Sequence, residues 1–250
     1  LHFCTAVRHN LYMQNNASMT ITGISSMATR QLLIELAASY QQQTGIHLKV
    51  DSVGGVNASN RILAGEAFDL VFLASDAIEA LIKTGHVVAG SKVDLVTSGV
   101  AVAVRAGAEL PDISSEAQLK ATVLATVSQQ KAISYSTGPS GVALAKLFER
   151  WGITEQVAPH FRQAASGVPV GSLIAKGDVA LGFQQLSELI HLDGISIVGP
   201  LPPAVQITTT FSAGVCSTST NKGAANAVLA FMTSPAANAA KLRQGMELIT

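Results

Sequence analysis

Between residues 20 and 85 the chain alternates between strand and helix, and its turns are written in small residues. TITGISS (20–26) reads as a strand ending in a Ser turn. ATRQLLIELAASYQQQTG (28–45) follows as a helix, with Leu32, Leu33, Leu36 and Tyr40 at helical spacing and Gly45 as its stop. HLKVDSV (47–53) is a strand, GGVNASNRILAG (54–65) a Gly-rich turn running into a short helix, and DLVFLAS (69–75) a buried strand. DAIEALIKTG (76–85) reads as a capped helix, with Asp76 at the N-cap, Glu79 three residues on and Gly85 past the end. Such alternation leaves few folds open. It implies an α/β architecture of parallel strands joined by right-handed helical crossovers.

The second half keeps the theme with longer connections. LVTSGVAVAVRAG (95–107) is a long strand, and residues 114–127 form a helix capped by Ser114 or Ser115. AISYS (132–136) is a strand, followed by GPSGVALAKLFERWG (138–152), a helix with Leu144, Leu147, Phe148 and Trp151 on one side. Residues 163–177 are a loop entering a helix, 179–185 a strand, 187–191 a short helix and 195–199 a strand. PLPP (200–203) is a rigid linker, 206–217 a Thr-rich strand, and two helical segments close the chain. Two stretches read as crossings between lobes: the strand around Ser98–Val102 and PLPPAVQ (200–206). The expected division is therefore lobe one at 20–98 with 207–250 and lobe two at 99–206. A ligand cleft lies between them at the strand C-terminal ends.

Composition narrows the function. Hydrophobic residues make up 48% and charged residues 13%, yet no apolar run approaches the ~18–20 residues of a membrane helix. Sixteen Lys plus Arg balance sixteen Asp plus Glu, so there is no basic stripe for nucleic acid. The two cysteines, Cys4 and Cys216, and six scattered histidines give no metal-ligand spacing, so no metal and no cofactor are expected. Cys216 reads as a buried structural thiol. RHNLYMQNNASM (8–19) resembles the protease-cleavable linker of an expression tag, so residues 1–18 are expected to be a tag remnant and to take no part in the fold.

Four segments share one design, a strand followed by small or hydroxyl residues and then a helix: GISSMAT (23–29), SVGGVNAS (52–59), STGPSGVA (136–143) and SGVPVGS (166–172). Each alone is an ordinary helix start. Together, two per lobe, they bring helix N-termini to one cleft, where backbone N–H groups and partial positive charge suit a desolvated anion. Ser25, Ser26 and Ser140 add hydroxyl donors. Arg30, Arg61 and Arg105 are the candidate carboxylate clamps, Arg61 first among them.

The order of these segments resembles the type II periplasmic solute-binding proteins, in the molybdate-binding group. The residues that carry the resemblance are GISSMAT; RILAGEAFDLVFLAS (61–75), near the family's IEAG–PADLFISA; Ser-Gly-Val at 140–142; LGF at 181–183; and FMTSPAANAAKLRQGME (231–247). The resemblance implies a two-lobed fold, each lobe a mainly parallel sheet flanked by helices, in a periplasmic monomer whose secretion signal does not stand in this sequence. It implies capture of a small anion, a molybdate-like oxyanion or a small carboxylate, for an ABC-type membrane permease. Carried over by position, the ligand-binding residues are Ser25, Ser26, Gly54, Gly55, Ser140, Gly141, Gly167, Val168, Gln184 and Gln185; Asn57 and Arg61, read from the residues themselves, complete the expected set. Where the family has a second Ser and a Tyr, this chain has the Gly54–Gly55 pair and Gln184–Gln185, which favour a ligand bearing hydroxyl or carboxylate groups. The alternative is an isomerase of a small tricarboxylate such as aconitate, a fold relative of the same group, with Glu188, His191 or Asp76 as candidate bases. A third reading, a sensory ligand domain, rests on fold analogy alone.

Overall fold

A computed structural model describes residues 19–165 and 167–249. The expected tag remnant, with Cys4, lies outside the described residues, as does Ser166 of the fourth turn. In chain order the elements are β1 (Thr20–Ser26), α1 (Arg30–Thr44), β2 (His47–Val53), α2 (Gly55–Leu63), β3 (Leu70–Ala74) and α3 (Ser75–Lys83). Then come β4 (Val93–Arg105), α4 (Glu116–Ser128), β5 (Ile133–Tyr135), α5 (Pro139–Arg150), α6 (Thr154–Val157) and α7 (Val170–Lys176). The chain ends with β6 (Leu181–Gln185), α8 (Leu186–Leu189), β7 (Ile195–Pro200), β8 (Thr208–Val215), α9 (Lys222–Thr233), α10 (Asn238–Arg243) and β9 (Glu247–Leu248).

The strands run in the order β2-β1-β3-β8-β4-β6-β5, with β7 and β9 also paired to β4. The expected parallel pairs are present: β1 with β2 and β3, and β5 with β6. β4, the expected crossing strand, and β8, which follows the expected crossing at 200–206, depart from the expected parallel order. β8 is antiparallel to β3 and to β4, and β4 is antiparallel to β6 and β7. A strand that carries the chain into one half and a strand that brings it back point opposite ways, so their pairing is antiparallel. β4 serves both halves: Val93–Gly99 pairs with β8, and Val100–Arg105 with β6 and β7.

Four buried clusters form the core. Two of them, around Leu33, Phe72 and Met232 and around Ile24, Leu73 and Ile78, draw only on residues 21–96 and 211–246. The other two, around Val102, Phe148 and Phe183 and around Ala103, Val170 and Ile174, draw only on residues 100–205. In the latter half, Phe148 packs edge-on against Tyr135 and Phe183 and stacks on Trp151, at centroid distances of 6.0, 6.0 and 5.8 Å.

Helix ends follow local chemistry. Gly45 takes the left-handed conformation (φ 73°) that closes α1, a region β-carbon-bearing residues avoid. Ser115 is the N-cap of α4, its hydroxyl accepting from the Gln118 N–H at 3.2 Å. Asp76 is not the N-cap of α3. The cap lies two residues earlier, at Ala74, the helix begins at Ser75, and the Asp76 carboxylate accepts from the Ala77 N–H at 2.9 Å. Glu79 pairs instead with Lys92 at 2.7 Å. The short helix α6 and the terminal strand β9 carry too few residues for periodicity to reveal them.

Candidate functional site

A cavity of about 170 Å3 opens where strand ends from both halves meet. From one half come Ser26, Met27 and Ala28 after β1, Gly54, Gly55, Val56 and Ser59 at the start of α2, and Ala74 and Ala77 at the start of α3. From the other come Ser136–Ser140 at the start of α5, the loop residues Ala164, Ala165, Gly167 and Val168, and Gln184, Gln185 and Glu188. Thr209 and Phe211 of β8 complete the wall.

The helix starts on this wall share one property. The 3-10 turn Met27–Thr29 and helices α2, α3 and α5 have no side-chain cap. Their cap residues are Ser26, Gly54, Ala74 and Gly138, and three of these four have no hydrogen-bonding side chain. N–H groups of a first helical turn have no partner within the helix, so a cavity walled by such starts offers hydrogen bonds and positive dipole ends to a ligand. The fourth cap, Ser26, is 8% exposed, and its hydroxyl is buried without a partner among the described residues. A buried hydroxyl left unpaired costs about 1–3 kcal/mol; Ser134 shares this state, and of the two only Ser26 lines the cavity.

Of the twelve sequence candidates, Ser26, Gly54, Gly55, Ser140, Gly167, Val168, Gln184 and Gln185 line this cavity. The other four do not. Ser25 is fully buried in β1, its hydroxyl 2.8 Å from that of Ser52. Asn57 is exposed on α2, away from the wall. Gly141 is buried in α5 and absent from the wall, and a Cβ there would overlap the Ser136 carbonyl, so its smallness serves the seating of α5 against the end of β5. Arg61 does not face the cleft. Its guanidinium reaches Asp51 and Glu66, each at 2.5 Å, and stacks over Phe68 at 5.3 Å. Two carboxylates and an aromatic ring on the outer surface outcompete a distant cleft for the one cation. Arg30 and Arg105 are also absent from the wall.

The two glutamines are already engaged. Gln184 accepts from the Val170 N–H at 2.7 Å and donates to Glu188 Oε2 at 2.7 Å. The Gln185 amide spans the crossing strands: with its nitrogen toward Ser98, it donates to the Ser98 carbonyl at 2.8 Å and accepts from Thr209 Oγ1 at 2.8 Å. Ser140 Oγ lies 3.1 Å from Ser136 Oγ.

Among the described residues, Glu188 is the one titratable side chain on the cavity wall. Desolvation raises its pKa from 4.5 to about 7, against a smaller lowering by the Gln184 hydrogen bond. Of the other two candidate bases, Asp76 is exposed on α3, and His191 Nε2 is bound to Gln244 Oε1 at 2.5 Å. Neither lines the cavity. Glu188 sits on a four-residue helix with no pattern to set it apart, so only the fold reveals where it stands. Cys216 is buried, and burial together with the Asp69 carboxylate pushes its thiol up to about 12, which leaves it a packed, unreactive group.

Comparison with known proteins places this geometry. The family model for bacterial extracellular solute-binding proteins matches residues 21–247. A protein from Pseudomonas sp. named aconitate isomerase is 34% identical over 221 residues, covering 86% of this chain and 82% of its own length. Among solved structures, the periplasmic molybdate-binding protein of Azotobacter vinelandii superposes with a TM-score of 0.77 at 20% identity, covering 92% of this chain and all of its own. The sulfate-binding protein of Mycobacterium tuberculosis does so with a TM-score of 0.72 at 16% identity, covering 92% and 87%. These two share the fold, and no helix among the described residues is long and apolar enough to cross a membrane. With nearly its whole length matched, from the first strand to the last, the chain belongs to the bacterial extracellular solute-binding protein family.

Proposed function

We propose that this protein captures a small carboxylate anion outside the cytoplasm and delivers it to an ABC-type permease. Its two lobes, 20–98 with 207–250 and 99–206, close on the ligand from either side. The observation that carries the reading is the cavity wall itself: uncapped helix starts from both halves and, among the described residues, an unpaired Ser26 hydroxyl and no Lys, Arg or His. Such a wall holds an anion by peptide dipoles rather than by a counter-charge. The carboxylate class is supported by the substrate in the name of the Pseudomonas relative. It is tested by a thermal-shift panel of molybdate, tungstate, sulfate, phosphate, citrate and cis- and trans-aconitate. A ligand at 100 times its Kd adds about 2.7 kcal/mol, several degrees of melting shift for a chain of this size. A shift with a tricarboxylate is expected, and a shift with molybdate or tungstate alone overturns the carboxylate assignment.

A second reading is favoured by Glu188. A carboxyl with a pKa of about 7 exists in both protonation states at neutral pH, as an acid–base catalyst requires. In an isomerase of aconitate, the Glu188 carboxylate takes the proton from the saturated carbon beside the double bond. The electron pair moves one carbon along, and the same carboxyl returns the proton at the far end. The helix starts bear the charge that accumulates on the substrate carboxylates meanwhile. Conversion of cis- to trans-aconitate, followed by ultraviolet absorbance or proton NMR, separates the two readings. A pure binding protein gives a shift in the panel and no conversion.

A further inference from the structure

The cavity presents a difficulty that its helix starts alone do not remove. An anion entering it meets a carboxyl on the wall and, among the described residues, no cationic side chain. The elements packed on α8 bring no counter-charge. β6 and the turn Met27–Thr29 carry no charged residue at all. β4 carries Asp94, which accepts from Ser212 Oγ at 2.6 Å, and Arg105, which is exposed at the far end of the strand beside Gly177. From the C-terminal segment Gly245 sits against Leu186 and Ile190, and the neighbouring Gln244 holds His191. The charged residues of the other wall elements, among them Arg61, Lys83, Lys146 and Lys176, are not on the wall. Gln184 donates to one Glu188 oxygen, and its own carbonyl is committed to the Val170 N–H, so this amide holds the carboxyl in place without neutralising it.

We propose that anion capture by this cavity is coupled to a proton held on Glu188, so that each bound anion brings one proton with it. This rests on the anion-binding reading above and states how that site is regulated. With the proton in place, Glu188 is a neutral donor facing the ligand; without it, two negative charges share an enclosed space. Affinity then falls as the medium becomes more alkaline than the carboxyl. A protein of this kind loads its ligand in acid surroundings and yields it as the pH rises.

The test is isothermal titration of wild type and Glu188→Gln with trans-aconitate, in HEPES and in Tris, two buffers of different ionisation enthalpy. At about pH 8 the wild type is expected to take up roughly one proton per ligand, and its affinity to fall about tenfold per pH unit above neutrality. Glu188→Gln, which mimics the protonated carboxyl, is expected to bind with no proton uptake and with affinity flat from about pH 6 to 8. Citrate, molybdate and sulfate are titrated in the same way. Wild-type binding of any of these anions without proton uptake overturns the coupling and leaves the anion site standing. Proton uptake that survives in Glu188→Gln also overturns it. Failure of both variants to bind any of the four anions overturns the anion reading and the coupling together.

Discussion

Helices α4 and α5 lie in the same half of the molecule and begin in opposite ways. At α4 the Ser115 hydroxyl turns back and accepts from the Gln118 N–H, closing the helix start with a side chain of its own. At α5 the cap is Gly138, Pro139 occupies the first turn, and no side chain caps the start. Ser140 points its hydroxyl at Ser136 on the cavity wall instead. One helix closes its start with a side chain; at the other, Pro139 has no N–H and the Gly141 N–H bonds to the Gly138 carbonyl at 3.0 Å. The contrast belongs to this pair alone: α1, α9 and α10 also begin without a side-chain cap, so it is the position of the α5 start on the cavity wall, and not the missing cap, that sets it apart.

Breaking that contrast is most damaging at Gly141. A Cβ there collides with backbone, the Ser136 carbonyl, so α5 must lift off β5. Gly141→Ala is expected to cost about 3 kcal/mol or more, read as a fall in melting temperature, and to abolish ligand-induced stabilisation.

Glu188→Gln comes next and acts in the opposite direction. The folded state keeps a proton that the unfolded chain has lost between pH 4.5 and about 7, so wild-type stability falls as pH rises through that window. The shift converts to an upper bound of about 3 kcal/mol, which solvent in the cavity reduces to ~2. Glu188→Gln is therefore expected to melt several degrees above wild type at pH 8 and level with it near pH 4. A variant that melts no higher at pH 8 places the carboxyl in water rather than on a dry wall.

Two serine variants sharpen the comparison directly. Ser140→Ala is expected to weaken the ligand about tenfold, with little change in the melting temperature of the free protein. Ser115→Ala is expected to cost about 1 kcal/mol of stability and to leave ligand affinity untouched. If the two swap effects, the assignment of cap and site is reversed. Arg61→Ala is the smallest. Its partners Asp51 and Glu66 are surface carboxylates, so the melting temperature is expected to move by about a degree and the affinity not at all.

Most of the secondary structure was legible because hydrophobic spacing reports it. β1 and β2 match their expected bounds at 20–26 and 47–53, and α1 ends at the Gly45 stop. The cap of α3 was misplaced because Asp76 serves equally well one residue inside a helix, where it still meets an N–H and the positive dipole end. The glycine and serine turns located the cavity, since a strand followed by uncapped small residues is a local pattern. The charged residues were not legible in the same way. Arg61 lies a few positions from both Asp51 and Glu66 in sequence, but which of its faces meets the cleft is decided by the packing of α2. Glu188 matters because of what surrounds it, and desolvation by residues far apart in sequence leaves no trace in its own neighbourhood.

The uncapped helix starts have a consequence for how such a chain changes over time. Donors supplied by peptide groups are not encoded by any one codon, so substitution of side chains leaves them where they are. A wall of this kind can persist while side chains diverge as far as the 34% identity shared with the Pseudomonas relative. The few side chains around it, with Ser26 and Glu188 foremost, are then free to be exchanged one at a time, each exchange retuning the cavity without rebuilding its wall.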